Sequence, residues 1–176
     1  ENNSEEATDE EKNIDGNALQ LEIIELYHEQ NFEQSAQKAE NAVELLGKSG
    51  VAVAKLLVLA AKSRFEMSDV SIAHEHCQTC LEILKIAPND EIYCLVMNTL
   101  AVISITSNDN TQGWNYLHQA AEITTKLTNE YRLLTITNIS LLMKNSQPQE
   151  AARYKKAAKI LSKSLHFSRF SLEAFG

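Results

Sequence analysis

Two histidines and two cysteines stand within seven positions of the sequence, in the stretch SIAHEHCQTCLEIL at residues 71–84. Imidazole nitrogens and thiolates are the ligands of structural zinc sites, so His74, His76, Cys77 and Cys80 could bind a metal ion. The Cys-x-x-Cys spacing also occurs in redox dithiols, whose first thiol has a low pKa. A third interpretation needs no chemistry, because a buried cysteine is a compact apolar side chain that packs well in a helix face.

The local pattern favours packing. The motif falls in the middle of a predicted helix, where His74 and His76 are two positions apart and project from different faces. A zinc site would need a second pair of ligands, yet the other cysteine and histidines are scattered: Cys94, His28, His118 and His166. A redox dithiol would need Cys77 at a helix N-terminus after a strand, and no strand is predicted there. A zinc or redox protein acting through Cys77 and Cys80 stays as the less favoured alternative.

Hydrophobic periodicity predicts an all-α chain of eight helices. They are expected at residues 17–30, 33–46, 51–67, 69–86, 90–107, 111–127, 129–144 and 147–165. Pro88 follows the fourth helix and Pro148 falls in the first turn of the eighth, so both prolines lie at predicted junctions. Two segments, LVMNTLAVISIT (95–106) and LLTITNISLLM (133–143), are rich in β-branched residues and read alone could form strands. A repeat along the chain favours helices for both segments despite that local preference.

The repeat is a set of small or medium residues in the second helix of each predicted pair. Each set has the spacing i, i+4, i+7, which places its members on one face of a helix. The sets start 38, 40 and 38 residues apart. They are Ser35, Ala39 and Ala42; Ala73, Cys77 and Cys80; Gly113, Leu117 and Ala120; and Ala151, Lys155 and Ala158. We therefore assign the two thiols to a packing face, and the same role to the other small residues of these sets.

These positions resemble the small-residue face of tetratricopeptide (TPR) repeats, most clearly in LYHEQNFEQSAQKAENAVEL at residues 26–45. The family's first-helix glycine is replaced by Ile23, Ala61, Ala101 and Ile139, Lys155 stands where an apolar residue is expected, and the helices are about one turn longer. The resemblance implies a divergent, long-helix, right-handed α-solenoid of about four helix pairs. It also implies a non-catalytic scaffold or adaptor that receives an extended or helical protein segment in its concave groove.

A weaker resemblance concerns residues 95–165. The stretches LAVISITSNDNTQGWNYLHQAAEITTKL and QEAARYKKAAKILSKSL are similar to the end of the TPR subunit of the cohesin loader. This implies a nuclear adaptor that wraps the N-terminal segment of a large HEAT-repeat partner. Subunits of the anaphase-promoting complex would look similar. The alternative function within the same family is a regulator that senses a free signalling peptide.

The candidate partner-binding residues lie on the sixth and eighth helices. Trp114 and Tyr116 are of the types favoured at binding hot spots, although ordinary packing would also explain them. Lys155, Lys159 and Lys163 form a basic stripe that is either a solvated face or a contact for an acidic partner or the chain's own acidic tail. The groove positions of the chaperone-binding TPR clamp correspond here to Gln20, Ile24, Val58 and Lys62. They do not supply that clamp.

Charge and composition set the remaining expectations. Residues 1–16 contain seven acids and one lysine, a net −6 of the formal −8, so the other 160 residues carry −2. We expect a disordered acidic tail at 1–16, a TPR-like domain at 17–165, and a capping segment or the start of a further helix at 166–176. The nearly neutral domain disfavours direct nucleic-acid binding. No phosphate loop or nucleophile elbow predicts an enzyme or a cofactor, no apolar run predicts a membrane span, and three cysteines favour an intracellular protein, cytoplasmic or nuclear.

Overall fold

The computed structural model describes residues 9–47 and 49–165, with side chains from residue 16 onward. This part of the chain contains eight α-helices, one 3₁₀ turn at Thr124–Lys126 and no strand. The helices are α1 (Asp9–His28), α2 (Phe32–Leu46), α3 (Val51–Glu66), α4 (Val70–Ile86), α5 (Asp90–Thr106), α6 (Asn110–Ile123), α7 (Asn129–Met143) and α8 (Pro148–Ser164). The predicted all-helical class is confirmed, including the two segments that could have formed strands.

The start of the first helix differs from its prediction. Polar composition predicted disorder up to residue 16 and a helix from residue 17, whereas α1 begins at Asp9. The sequence explains the difference, because Glu10, Glu11 and Lys12 have favourable helix propensities that the composition argument did not count. The rest of the predicted tail, residues 1–8, and the predicted capping segment at 166–176 lie outside the described residues.

Three turns share one backbone conformation. Each contains a non-glycine residue with positive φ: Gln30 (62°), Ser68 (66°) and Asn108 (62°). In each turn the amide of the next residue donates to the carbonyl five residues earlier, over 2.9 Å, which is the hydrogen bond of a Schellman helix end. These three positions are 38 and 40 residues apart, the same spacing as the small-residue sets. The turn joins α1 to α2, α3 to α4, and α5 to α6.

The helices pack mainly on their neighbours along the chain. We call α1, α3, α5 and α7 the first helices, and α2, α4, α6 and α8 the second helices. Consecutive helices pack together, and the first helices also contact one another in the order α1–α3, α3–α5 and α5–α7. Second helices of different pairs lie farther apart in the described part of the chain, although side chains of α2 and α4 still meet, at Glu40 and His76. The first helices therefore form a continuous layer.

The layer of first helices contains buried polar pairs as well as apolar side chains. Between α5 and α7, the fully buried Asn98 donates from Nδ2 to Thr135 Oγ1 (3.0 Å) and accepts from Asn138 Nδ2 (2.9 Å). At the α1–α3 contact, Ser35 of α2 donates to the Ile23 carbonyl at 3.0 Å and accepts from Ser63 at 2.9 Å. Buried polar groups are stable only when they are hydrogen-bonded, so these pairs fix how neighbouring helices align.

Candidate functional site

The two thiols of the opening motif are buried in the core. Cys77 and Cys80 on α4 have no exposed surface and pack with apolar side chains of α3 and α5. The Cys80 thiol lies 3.4 Å from the Ala54 carbonyl, to which it donates. Burial raises the pKa of Cys80 to about 12 and raises that of Cys77 further, with the neighbouring Cys80 adding to the effect. A thiol with a raised pKa stays protonated at neutral pH, which makes it a poor nucleophile.

The two histidines of the motif point away from the thiols. His76 Nε2 lies 2.8 Å from Glu40 Oε1, and Arg64 donates to the same carboxylate from Nε at 2.8 Å and Nη2 at 2.7 Å. The Arg64 guanidinium is the main cause of the lowered pKa of Glu40. His74 is exposed and lies 3.5 Å from Gln78 Nε2. The described residues contain no group of three or more His, Cys, Asp or Glu side chains placed to hold a metal ion.

We predict that the native protein reacts slowly with a disulfide reagent such as dithionitrobenzoate, because all three thiols are buried and protonated. In urea, three equivalents should react at once. Replacing Cys77 with Ala should lower the free energy of unfolding by about 1 kcal/mol, through the small void that it leaves. Rapid labelling of two thiols in the native state, or zinc bound at one equivalent after purification, would contradict the packing role.

The residues assigned to the packing face are buried, whereas the lysine in their register is exposed. Gly113 shows why small side chains stand here, since an added Cβ would lie 3.0 Å from Ile105 Cγ1 and 3.6 Å from the Ala101 carbonyl oxygen. Lys155 occupies the equivalent position of α8 and stays accessible. The buried set is Ser35, Ala39, Ala42, Ala73, Cys77, Cys80, Gly113, Leu117, Ala120, Ala151 and Ala158.

The candidate partner-binding residues lie on the second helices and are dispersed. Trp114 is 41% exposed and lines a cavity of about 400 Å³ between α6, α7 and α8, whereas Tyr116 is half-buried against the core. Lys155, Lys159 and Lys163 are exposed on α8, and Lys155 borders a groove of about 530 Å³ between α7 and α8. The structure does not bring these five residues into one site.

A groove with a volume of about 950 Å³ lies on the first helices. All four of them contribute: the second half of α1, the N-terminal ends of α3 and α5, and Tyr131 at the start of α7. We call this surface the first-helix groove. Its lining residues are Leu21, Ile24, Glu25, His28, Glu29, Val51, Lys55, Asn89, Glu91, Ile92, Leu95 and Tyr131.

The groove combines exposed apolar side chains with carboxylates. Leu21 is 61% exposed and Val51 is 38% exposed, although both are large aliphatic residues that normally favour burial. Glu91 faces Tyr131, whose pKa is raised first by burial and then by that carboxylate. An apolar surface with a few polar groups at its edge is the usual character of a site that binds another molecule.

The sequence predicted few of the residues that line this groove. Of the positions considered for the TPR clamp, Ile24 does line the groove, but Val58 and Lys62 are buried and cannot contact a partner there. A signal was present in α1, where Leu21, Ile24 and His28 share one helix face at spacing i, i+3, i+7. The same spacing is typical of a helix face that packs in a core, so by itself it does not indicate a groove.

Comparison with protein families, curated proteins and solved structures adds no relative. No family model matches the chain, and no curated protein or solved structure matches it significantly. Among the described residues, no helix has both the length and the apolar content that a transmembrane segment requires.

Proposed function

We propose that the chain is a non-catalytic scaffold that binds a segment of another protein in the first-helix groove. The groove is the observation that carries this proposal. It is built from every first helix, and it leaves aliphatic side chains such as Leu21 and Val51 exposed to water. Covering such a surface with a partner's apolar side chains removes it from water and so lowers the free energy of the complex.

A right-handed α-solenoid of four helix pairs is the architecture that we propose for this scaffold. The recurring turn at Gln30, Ser68 and Asn108 supports it, as does the layer of first helices that contact one another in chain order. In a solenoid each pair contacts only its neighbours, so a long groove forms along the layer of first helices. A rigid groove of this kind loses little conformational entropy when a partner binds.

The resemblances give the proposed setting. As a TPR-like adaptor, the chain would be a subunit of a larger complex, cohesin-loader-like or anaphase-promoting-complex-like, in the nucleus or cytoplasm. Its partner would be protein, with no direct contact to nucleic acid or membrane.

Affinity capture with paired variants tests the proposal. Leu21→Glu places a charge on the exposed apolar side of the groove and should reduce recovery of the partner by about tenfold. Ile72→Glu is the matched control, because Ile72 is 40% exposed on α4 and lies outside the groove. Both variants should keep the helical circular dichroism of the wild type. Equal recovery by both variants, or loss only after Trp114→Ala, would contradict a site in the groove.

A further inference from the structure

We propose that the first-helix groove selects a cationic amphipathic segment, in which Lys or Arg flanks a row of apolar side chains. This inference rests on the proposed function, since it names the chemistry of the partner that would occupy the same groove. The occupant that we infer is a segment of another protein.

The charges around the groove carry the inference. Three glutamates line it, Glu25, Glu29 and Glu91, against a single lysine, Lys55. All three glutamates are exposed, and among the described side chains Glu25 and Glu29 form no ion pair. Their charge is therefore not compensated within the described fold, and it is available to a partner.

The apolar part of the groove decides which cationic partner fits. Leu21 and Val51 line the groove as exposed side chains and Ile24 as a half-buried one, so a polar basic chain would leave this apolar surface uncovered. Lysine and arginine have long aliphatic stems that lie along apolar surface while their charged ends reach outward. A segment that combines leucine-like residues with lysine or arginine can therefore cover the aliphatic surface and approach the carboxylates together.

Electrostatics excludes the opposite type of occupant. Each exposed carboxylate contributes little by itself, but several on one concave surface add to a negative potential that attracts cations and repels anions. An acidic segment, including the acidic residues 1–15 of this chain, would meet like charge in the groove. The lysine stripe of α8 does not offset this, because Lys155, Lys159 and Lys163 lie outside the groove lining.

A defined pair of peptides tests the charge preference. The probe is a fluorescein-labelled fourteen-residue peptide of leucine and lysine in helical amphipathic order, and its counterpart carries glutamate at every lysine position. We expect saturable binding of the lysine peptide that weakens with added salt, and at least tenfold weaker binding of the glutamate peptide. A third peptide with serine in place of leucine should also bind at least tenfold more weakly. Stronger binding of the glutamate peptide, or equal binding of the serine peptide, would overturn the inference.

Two double variants test whether the lysine peptide binds in the first-helix groove. Glu25→Lys/Glu29→Lys should weaken binding of the lysine peptide by about tenfold, since it reverses two charges of the groove. Glu44→Lys/Glu75→Lys makes the same change in net charge on exposed positions of α2 and α4, and should leave the affinity within about twofold. Equal weakening by the two doubles would mean attraction to overall charge and would overturn the inference.

Recovery of the partner by two variants distinguishes failure of this inference from failure of the proposed function. Loss of the partner with Leu21→Glu and with Glu25→Lys/Glu29→Lys supports both. Loss with Leu21→Glu alone keeps the groove as the binding site but overturns its preference for cations. Retention with both variants contradicts the proposed function itself.

Discussion

Replacing Lys62 with Met should raise the free energy of unfolding at pH 7 by about 2–4 kcal/mol. Lys62 is only 3% exposed in α3, with its Nζ 5.5 Å from the centre of the Tyr27 ring and Glu66 nearby. Burial lowers the pKa of Lys62 to about 7, and the Glu66 carboxylate opposes the shift without cancelling it. Met fills a similar volume and carries no charge that must leave water.

The same substitution should change how stability depends on pH. An unfolded lysine has a pKa near 10.4, so between about pH 7 and pH 10 the unfolded chain binds more protons at this position than the folded chain. Stability conferred by this site therefore rises with pH across that window. Urea unfolding at pH 7 and pH 9 should show this rise in the wild type and a smaller one in Lys62→Met.

A matched control is available in the same helix. Lys55 is partly exposed in the groove, and Lys55→Met should change the unfolding free energy by no more than about 0.5 kcal/mol. A Lys62→Met protein that is less stable than the wild type at pH 7 would show that the buried ammonium group is a net stabilising contact.

Replacing Asn98 with Ala should lower the free energy of unfolding by about 3 kcal/mol. The substitution removes the acceptor of Asn138 Nδ2 and the donor to Thr135 Oγ1, and it leaves a void in a fully buried site. A buried amide group that loses its partner retains the cost of leaving water. Thermal or urea unfolding of the purified variant measures the effect.

A double-mutant cycle isolates the contact between the two asparagines. Asn98→Ala and Asn138→Ala should be non-additive by about 1–2 kcal/mol, since either change alone breaks their shared hydrogen bond. Thr106→Ala on the same helix replaces Asn98→Ala in the control cycle and should be additive with Asn138→Ala. Thr106 is exposed, and its hydroxyl donates to the Val102 carbonyl four residues earlier. Additive effects of the two asparagine substitutions would mean that the α5–α7 contact does not depend on this pair.

The helices could be predicted because their signals are local. Apolar periodicity, Pro88 and Pro148 fix most boundaries, and Asn89 caps α5 by accepting from the Ile92 amide at 2.9 Å. The β-branched segments of α5 and α7 were ambiguous because propensity is only a weak guide and packing decides the outcome. In the fold, these two helices lie against each other in the layer of first helices.

The groove and the buried polar pairs could not be predicted in the same way. Asn98 and Asn138 are 40 residues apart, and their hydrogen bond exists only when α5 and α7 have a particular alignment. Leu21 and Glu91 likewise meet in one groove through the packing of α1, α3 and α5 rather than through sequence spacing. Leu21 taken singly does not mark the groove, since single exposed leucines are common on protein surfaces, and only the helix face that it shares with Ile24 and His28 hints at it.

Hydrogen–deuterium exchange of the chain with its captured partner tests the proposed binding site most directly. We expect slower exchange on binding in peptides that cover residues 21–29, 51–55 and 89–95, together with unchanged exchange in α2 and α4. Protection confined to α6 and α8, around Trp114 and the lysine stripe, would contradict the first-helix groove as the site of partner binding.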